Sequence, residues 1–169
     1  RILSDAPQSS IAVAKKRRIL MLNPLGRAIL IALALAIGLS AAETAFTGTW
    51  TLNTAKSKFT PGPGPKSQTV TIAEDGKVTV NEVSNDGQTV SWSYMPEDGK
   101  TVKISGVDDA TVNDKRAGDR QVEHTWKFGE RRSTGHGVIS ADGKTMKYTQ
   151  NGKEADGKPF HAVMVFEKQ

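Results

Sequence analysis

The chain has 169 residues, a net charge of +5 and no cysteine. The basicity would suit a nucleic-acid or membrane-surface partner, but residues 1–42 hold six Lys/Arg and one Asp, while residues 43–169 hold 17 of each sign. The larger part is therefore neutral with interspersed signs, which excludes a phosphate-backbone footprint. The missing thiols exclude disulfide staples, thiolate zinc sites and cysteine nucleophiles.

Taken from the N-terminus, the first recognisable segment is a secretory leader. Met21 is the expected initiator, Arg27 supplies positive charge and Ala28 to Leu39 form a 12-residue apolar run. Ser40-Ala41-Ala42 is a small-x-small cleavage site, so cleavage is expected after Ala42. The apolar run is too short for the roughly 20 residues of a membrane-spanning helix. The expectation is an exported protein, periplasmic or extracellular, with no stable membrane insertion once the leader is removed. Residues 43–169 then make a single domain, long enough to bury a core without staples.

Within that domain the first strand is read in FTGTWTLN, where Phe46, Gly48, Trp50 and Leu52 share a face by alternation. AKSKF, from Ala55, is long enough for one helical turn, and PGPGP (Pro61 to Pro65) is an extended connector that no strand interior tolerates. Asp-Gly pairs recur at 75–76, 86–87, 98–99, 142–143 and 156–157, with Asn151-Gly152 in addition. Such pairs supply the positive φ of tight hairpins, and the first three follow at a cadence of one strand plus one turn. Between the turns the residues alternate: Val70 and Ile72, Val78 and Val80, then Val90, Trp92 and Tyr94, then Val102 and Ile104. Val122, His124, Trp126 and Phe128 line one side of the next strand, Met146 and Tyr148 follow, and FHAVMVFEKQ closes the chain. The predicted fold is all-β, an up-and-down antiparallel meander of about 8–10 strands. Closure into a barrel removes the free edges of such a meander; a two-sheet sandwich is the competing arrangement.

Gly48-Thr49-Trp50 on the first strand resembles the opening signature of the lipocalin and fatty-acid-binding (calycin) superfamily. Across GTWTLN, KSKFTPGPGPKSQTVTI, SADGKTMKYTQNG and ADGKPFHAVMVFEKQ, the chain is similar to small exported bacterial lipocalin-like proteins. The resemblance implies a barrel with an internal cavity for a small apolar molecule. It also implies a late basic residue stacked on the signature tryptophan, for which Lys168 is the candidate. Two family features are missing. PGPGP stands where fatty-acid-binding proteins carry two lid helices, and Phe166-Glu167-Lys168 lacks their carboxylate-holding Arg-x-Tyr pair.

Candidate site residues come from the inner faces. Trp92, Tyr94, Trp126 and Phe128 form an aromatic cluster that either walls a pocket or fills the interior. A three-residue loop at Gly129-Glu130-Arg131 would set Phe128 opposite Arg132 and His124 opposite His136. On that register Arg132 or His124 would fix the polar end of a ligand, with Arg116 a weaker alternative. The same register makes His124, His136 and His161 a conceivable zinc or haem site, against the plainer reading of inert hydrogen-bonded imidazoles, and a one-residue slip destroys it. Ser133, His136 and Asp142 have the residue types of a triad but no supporting motif, and Asp108-Asp109 reads as a solvated loop pair. No catalytic residue and no cofactor is therefore assigned. Two functions stay open, a binder of a small apolar or amphipathic ligand and a filled barrel acting as a structural or protein-interaction module of the cell envelope. Trp50 is expected to plug one end.

Overall fold

In a computed structural model, residues 44–169 are described; the expected leader, with its start at Met21 and its cleavage after Ala42, lies outside them. Eleven strands follow in chain order: β1 (Gly48–Leu52), β2 (Lys58–Thr60), β3 (Ser67–Ile72), β4 (Val78–Val83), β5 (Thr89–Tyr94), β6 (Thr101–Lys103), β7 (Ala110–Arg116), β8 (Gln121–Phe128), β9 (Arg131–Ile139), β10 (Thr145–Lys153) and β11 (Pro159–Lys168). The only helical element among the described residues is a single 3-10 turn, Thr54–Lys56, which overlaps the start of the AKSKF stretch. No described helix is long and apolar enough to cross a membrane.

All pairings are antiparallel and run β5-β4-β3-β1-β11-β10-β9-β8-β7-β6. β1 lies between β3 and β11, and β2 extends its line by pairing with the other half of β11. The two end strands of this path, β5 and β6, meet through one bridge. Ser93 and Ser105 exchange both backbone bonds, at 2.9 and 2.8 Å. The next residue, Gly106, has φ of +95°, and a Cβ there would overlap the Ser91 carbonyl. Only glycine lets the seam approach this closely. The sheet is thus an all-β meander nearly closed into a barrel, not a sandwich.

The five Asp-Gly pairs lie between consecutive strands, as their cadence predicts, and all five glycines have positive φ. Asn151-Gly152 is a correction. It sits inside β10, opposite Thr134 and Ser133 on one side and His161 and Phe160 on the other. Gly152 is needed for space rather than for a turn, because a Cβ there would run into Phe160, Ser133 and the Arg132 carbonyl.

Two clusters make the core. The first gathers Phe46, Trp50, Leu52, Met146, Met164 and Phe166 with their neighbours. Phe46, Trp50 and Leu52 are buried, and the Trp50 indole N–H donates to the Phe46 carbonyl at 2.8 Å. Lys168 holds its ammonium 5.4 Å from the Trp50 ring centroid, within cation–π range. The side chain of Lys168 also lies where a Cβ on Gly48 would sit. The second cluster holds Val78, Val80, Tyr94, Val112 and Trp126, with Trp92 and Phe128 packed on it half-buried.

Candidate functional site

The strand faces enclose a cavity of about 740 Å³. Residues from both clusters line it, as do Pro61, Pro63, Gly64 and Pro65 of the proline connector. Trp92, Tyr94, Trp126 and Phe128 all face this space and touch one another. Trp92 packs edge-on to Trp126 at 5.4 Å and to Phe128 at 5.8 Å, while Trp126 and Phe128 stack at 5.9 Å. Alternation explains the arrangement: β5 and β8 each place every second residue inward, and those positions carry the rings.

The β8–β9 turn is one residue tighter than the sequence suggests. Gly129 and Glu130 alone form the loop, with Gly129 at φ +55°, so Phe128 pairs with Arg131 rather than Arg132. The slip turns over the whole of β9. Ser133, Gly135, Gly137 and Ile139 face inward, and Arg132, Thr134 and His136 face outward, with the predicted Val122–Val138 pair lost as well. His124 therefore lies opposite Gly135, not His136. The inward run of small residues has a steric reason. A Cβ at Gly135 would overlap the Tyr148 hydroxyl, and one at Gly137 would crowd Val122 and the Tyr148 ring.

This overturns several site expectations. Arg132 does not reach the cavity; it is exposed and donates to the Gly129 and Arg131 carbonyls. Arg131 takes the inward place, with its guanidinium 4.2 Å above the Phe160 ring and 3.3 Å from the Glu154 carboxylate. His136 is exposed near Gln121, and His161 is exposed with Nδ1 2.7 Å from Asn151, so neither joins His124. No group of three potential metal ligands occurs among the described residues. Ser133 is buried and accepts from the Gln150 amide at 2.8 Å, while Asp142 accepts from Ser140 and caps the β9–β10 turn; with His136 outside, the three share no site. Asp109 is exposed and ion-paired with Lys127. Arg116 ends the inner row of β7 and lays its guanidinium 4.3 Å over the Phe46 ring.

The polar centre of the cavity is built on a residue that the alternation analysis passed over. Asp114, in the inner row of β7 with Ala110 and Val112, is 9 % exposed and sits opposite His124. From the sequence, ATVNDKR carries no strand assignment; the signal available in it was the two-residue spacing of Ala110, Val112 and Asp114. Tyr94 donates its hydroxyl to Asp114 Oδ2 at 3.0 Å. His124 Nε2 is 3.5 Å from Asp114 Oδ1, too long for a good hydrogen bond. The His124 ring lies between Trp126 at 5.1 Å and Tyr148 at 5.4 Å, and the Trp126 indole N–H donates to the Tyr148 hydroxyl at 2.7 Å. Asp114 Oδ1 and His124 Nδ1 are buried without any hydrogen-bond partner.

Burial dominates the protonation of this group. It pushes the Asp114 carboxyl up to about 6, against the opposing pull of the Tyr94 hydrogen bond and the Arg116 charge. Burial, helped by Arg116, pushes His124 down to about 3. Tyr94 and Tyr148 are both raised, chiefly by burial and further by the Asp114 charge. At neutral pH the site therefore holds a carboxylate, a neutral imidazole and two neutral phenols.

No known family model matches the chain, and no curated protein does. Among solved structures the chain is similar to a Schistosoma mansoni fatty acid binding protein in complex with arachidonic acid, at 16% identity and a TM-score of 0.48, covering 77% of this chain and 98% of that one. It is also similar to the fluorescent protein UnaG, at 15% identity and a TM-score of 0.45 over 73% and 97% of the two chains. A zebrafish ileal bile acid-binding protein with cholic acid gives 15% identity and a TM-score of 0.43 over 75% and 100%. The likeness is one of chain path, an antiparallel meander wrapped into a barrel, which the strand pairing of this chain defines on its own.

Proposed function

We propose that the protein binds one small apolar or amphipathic molecule inside its barrel. The observation that carries this reading is the cavity of about 740 Å³, which falls within the range of pockets that enclose a single small ligand. A barrel filled by its own side chains, as the structural-module reading requires, would not leave this space. The wall supports the same reading, since it combines four aromatic rings with a few polar groups, the usual make-up of a ligand pocket. The ligand would bury its apolar body against Trp92, Trp126 and Phe128. Its polar end would reach the Asp114–His124–Tyr94 group.

The protein acts, on this reading, after export, with the leader cleaved behind Ala42. N-terminal sequencing of protein recovered from its host's periplasm or medium would begin at Glu43; a chain that keeps its leader would refute export by cleavage. Native mass spectrometry of the protein from its own host tests the binding itself. A co-purifying small molecule is the expected result, and a clean apo mass under every condition would return the case to the structural module.

A further inference from the structure

Resting on the cavity as a ligand site, we infer that its ligand carries a hydrogen-bond-donating head, an ammonium or a hydroxyl, and not a carboxylate. The argument is an account of which donors and acceptors at the polar centre are already engaged. Tyr94 directs its proton to Asp114 Oδ2, and Trp126 directs its N–H to the Tyr148 hydroxyl. Three buried side-chain atoms among the described residues lack hydrogen-bond partners: Asp114 Oδ1 and His124 Nδ1 at the polar centre, and Arg131 Nε beside Phe160 and Glu154. A carboxylate oxygen only accepts. A neutral imidazole whose Nε2–H points toward that carboxylate has only an acceptor left at Nδ1. The hydroxyl protons of Tyr148 and of Ser133, each of which accepts a bond, stay uncommitted, and a ligand hydroxyl oxygen would accept from Tyr148 beside the His124 ring.

A buried polar atom without a partner is destabilising, and a buried carboxylate more so. A donor head removes that cost on binding, whereas a ligand carboxylate at the same level would meet a second negative charge. Arg116, two residues along β7, does not reverse the sign. Its guanidinium rests on Phe46, and it makes no ion pair with Asp114. Arg131 has its charge balanced by the Glu154 carboxylate 3.3 Å from Nε and its guanidinium laid on Phe160, although Nε makes no hydrogen bond. The surrounding rings also favour a cation, because their faces carry partial negative charge.

A matched series decides the matter: 2-(2-naphthyl)ethylamine, 2-(2-naphthyl)ethanol, 2-naphthylacetate and the headless 2-ethylnaphthalene, titrated calorimetrically into the purified protein at neutral pH. The amine and the alcohol are expected to bind at least about tenfold more tightly than the carboxylate. Asp114→Asn should weaken the amine by about tenfold or more while leaving 2-ethylnaphthalene unchanged. Should the carboxylate equal or exceed both donors, or the headless compound match them, the head-group inference falls and the cavity reading stands. Should none of the four bind, both fall.

Discussion

The two core clusters are built to different standards. Around Trp50, the sheet closes on Phe46, Leu52, Met146, Met164 and Phe166, and the one buried indole N–H has its acceptor. Around Trp126, the rings of Trp92 and Phe128 are only half-buried, and Asp114 and His124 keep buried atoms without partners. The first region is packed and satisfied, as a stabilising core is. The second is open and unsatisfied, which is how a binding surface differs from a core of the same residue types. Neither aromatic content nor contact with the cavity separates the two, since Phe46, Met146, Met164 and Phe166 line it as well; hydrogen-bond satisfaction and the burial of the rings do.

The sharpest way to break this contrast is Trp50→Ala. Removing a fully buried indole from the packed end should cost about 3–5 kcal/mol of stability, read by urea denaturation. A loss below about 1 kcal/mol would mean that this end is not the stabilising one.

Asp114→Asn should act in the opposite direction. Unfolded, the carboxyl ionises near 4, whereas the fold holds its proton up to about 6. The folded state thus binds more protons across that window, and Asp114 lowers stability as pH rises through it. The asparagine variant does not titrate. It should be more stable than the parent by on the order of 2 kcal/mol at pH about 7.5, with the gain vanishing below pH about 4. Chemical denaturation at the two pH values measures this, and a variant destabilised at neutral pH would contradict the assignment of an unpaired buried charge.

Trp92→Ala sharpens the comparison from the open side. The residue is half-buried on the cavity wall, so a stability loss of about 1–2 kcal/mol is expected, together with about tenfold weaker binding of an apolar probe. If stability falls as far as with Trp50→Ala while binding holds, Trp92 belongs to the core. The smallest effects are expected outside the barrel. Arg132→Ala and His136→Ala should each change stability by no more than about 0.5 kcal/mol and leave binding unaltered, because both side chains are exposed.

Much of the barrel was legible in the chain. Asp-Gly turns with alternating strands between them point to a meander because both are local properties, carried by φ preference and by the two-residue period of a strand. Trp92, Tyr94, Trp126 and Phe128 were placed on inner faces by that period alone. The β8–β9 register was not legible. A two-residue and a three-residue loop are both open to FGERR, and the choice exchanges Arg132 for Arg131 and sends His136 outside. What decides it is space beside the neighbouring strand, since Tyr148 on β10 requires glycine at the inward position 135 of β9.

The sequence by itself therefore determined the class of fold, the turn positions, the inward aromatic rows and the buried signature residues Phe46, Trp50 and Leu52. Each follows from a pattern only a few residues long. Tertiary structure alone decided that the interior is a cavity rather than a filled core, and that Asp114 and His124 meet inside it. Those outcomes depend on which strands lie side by side and on how much volume distant side chains leave between them, and neither quantity is written in any single stretch of the chain.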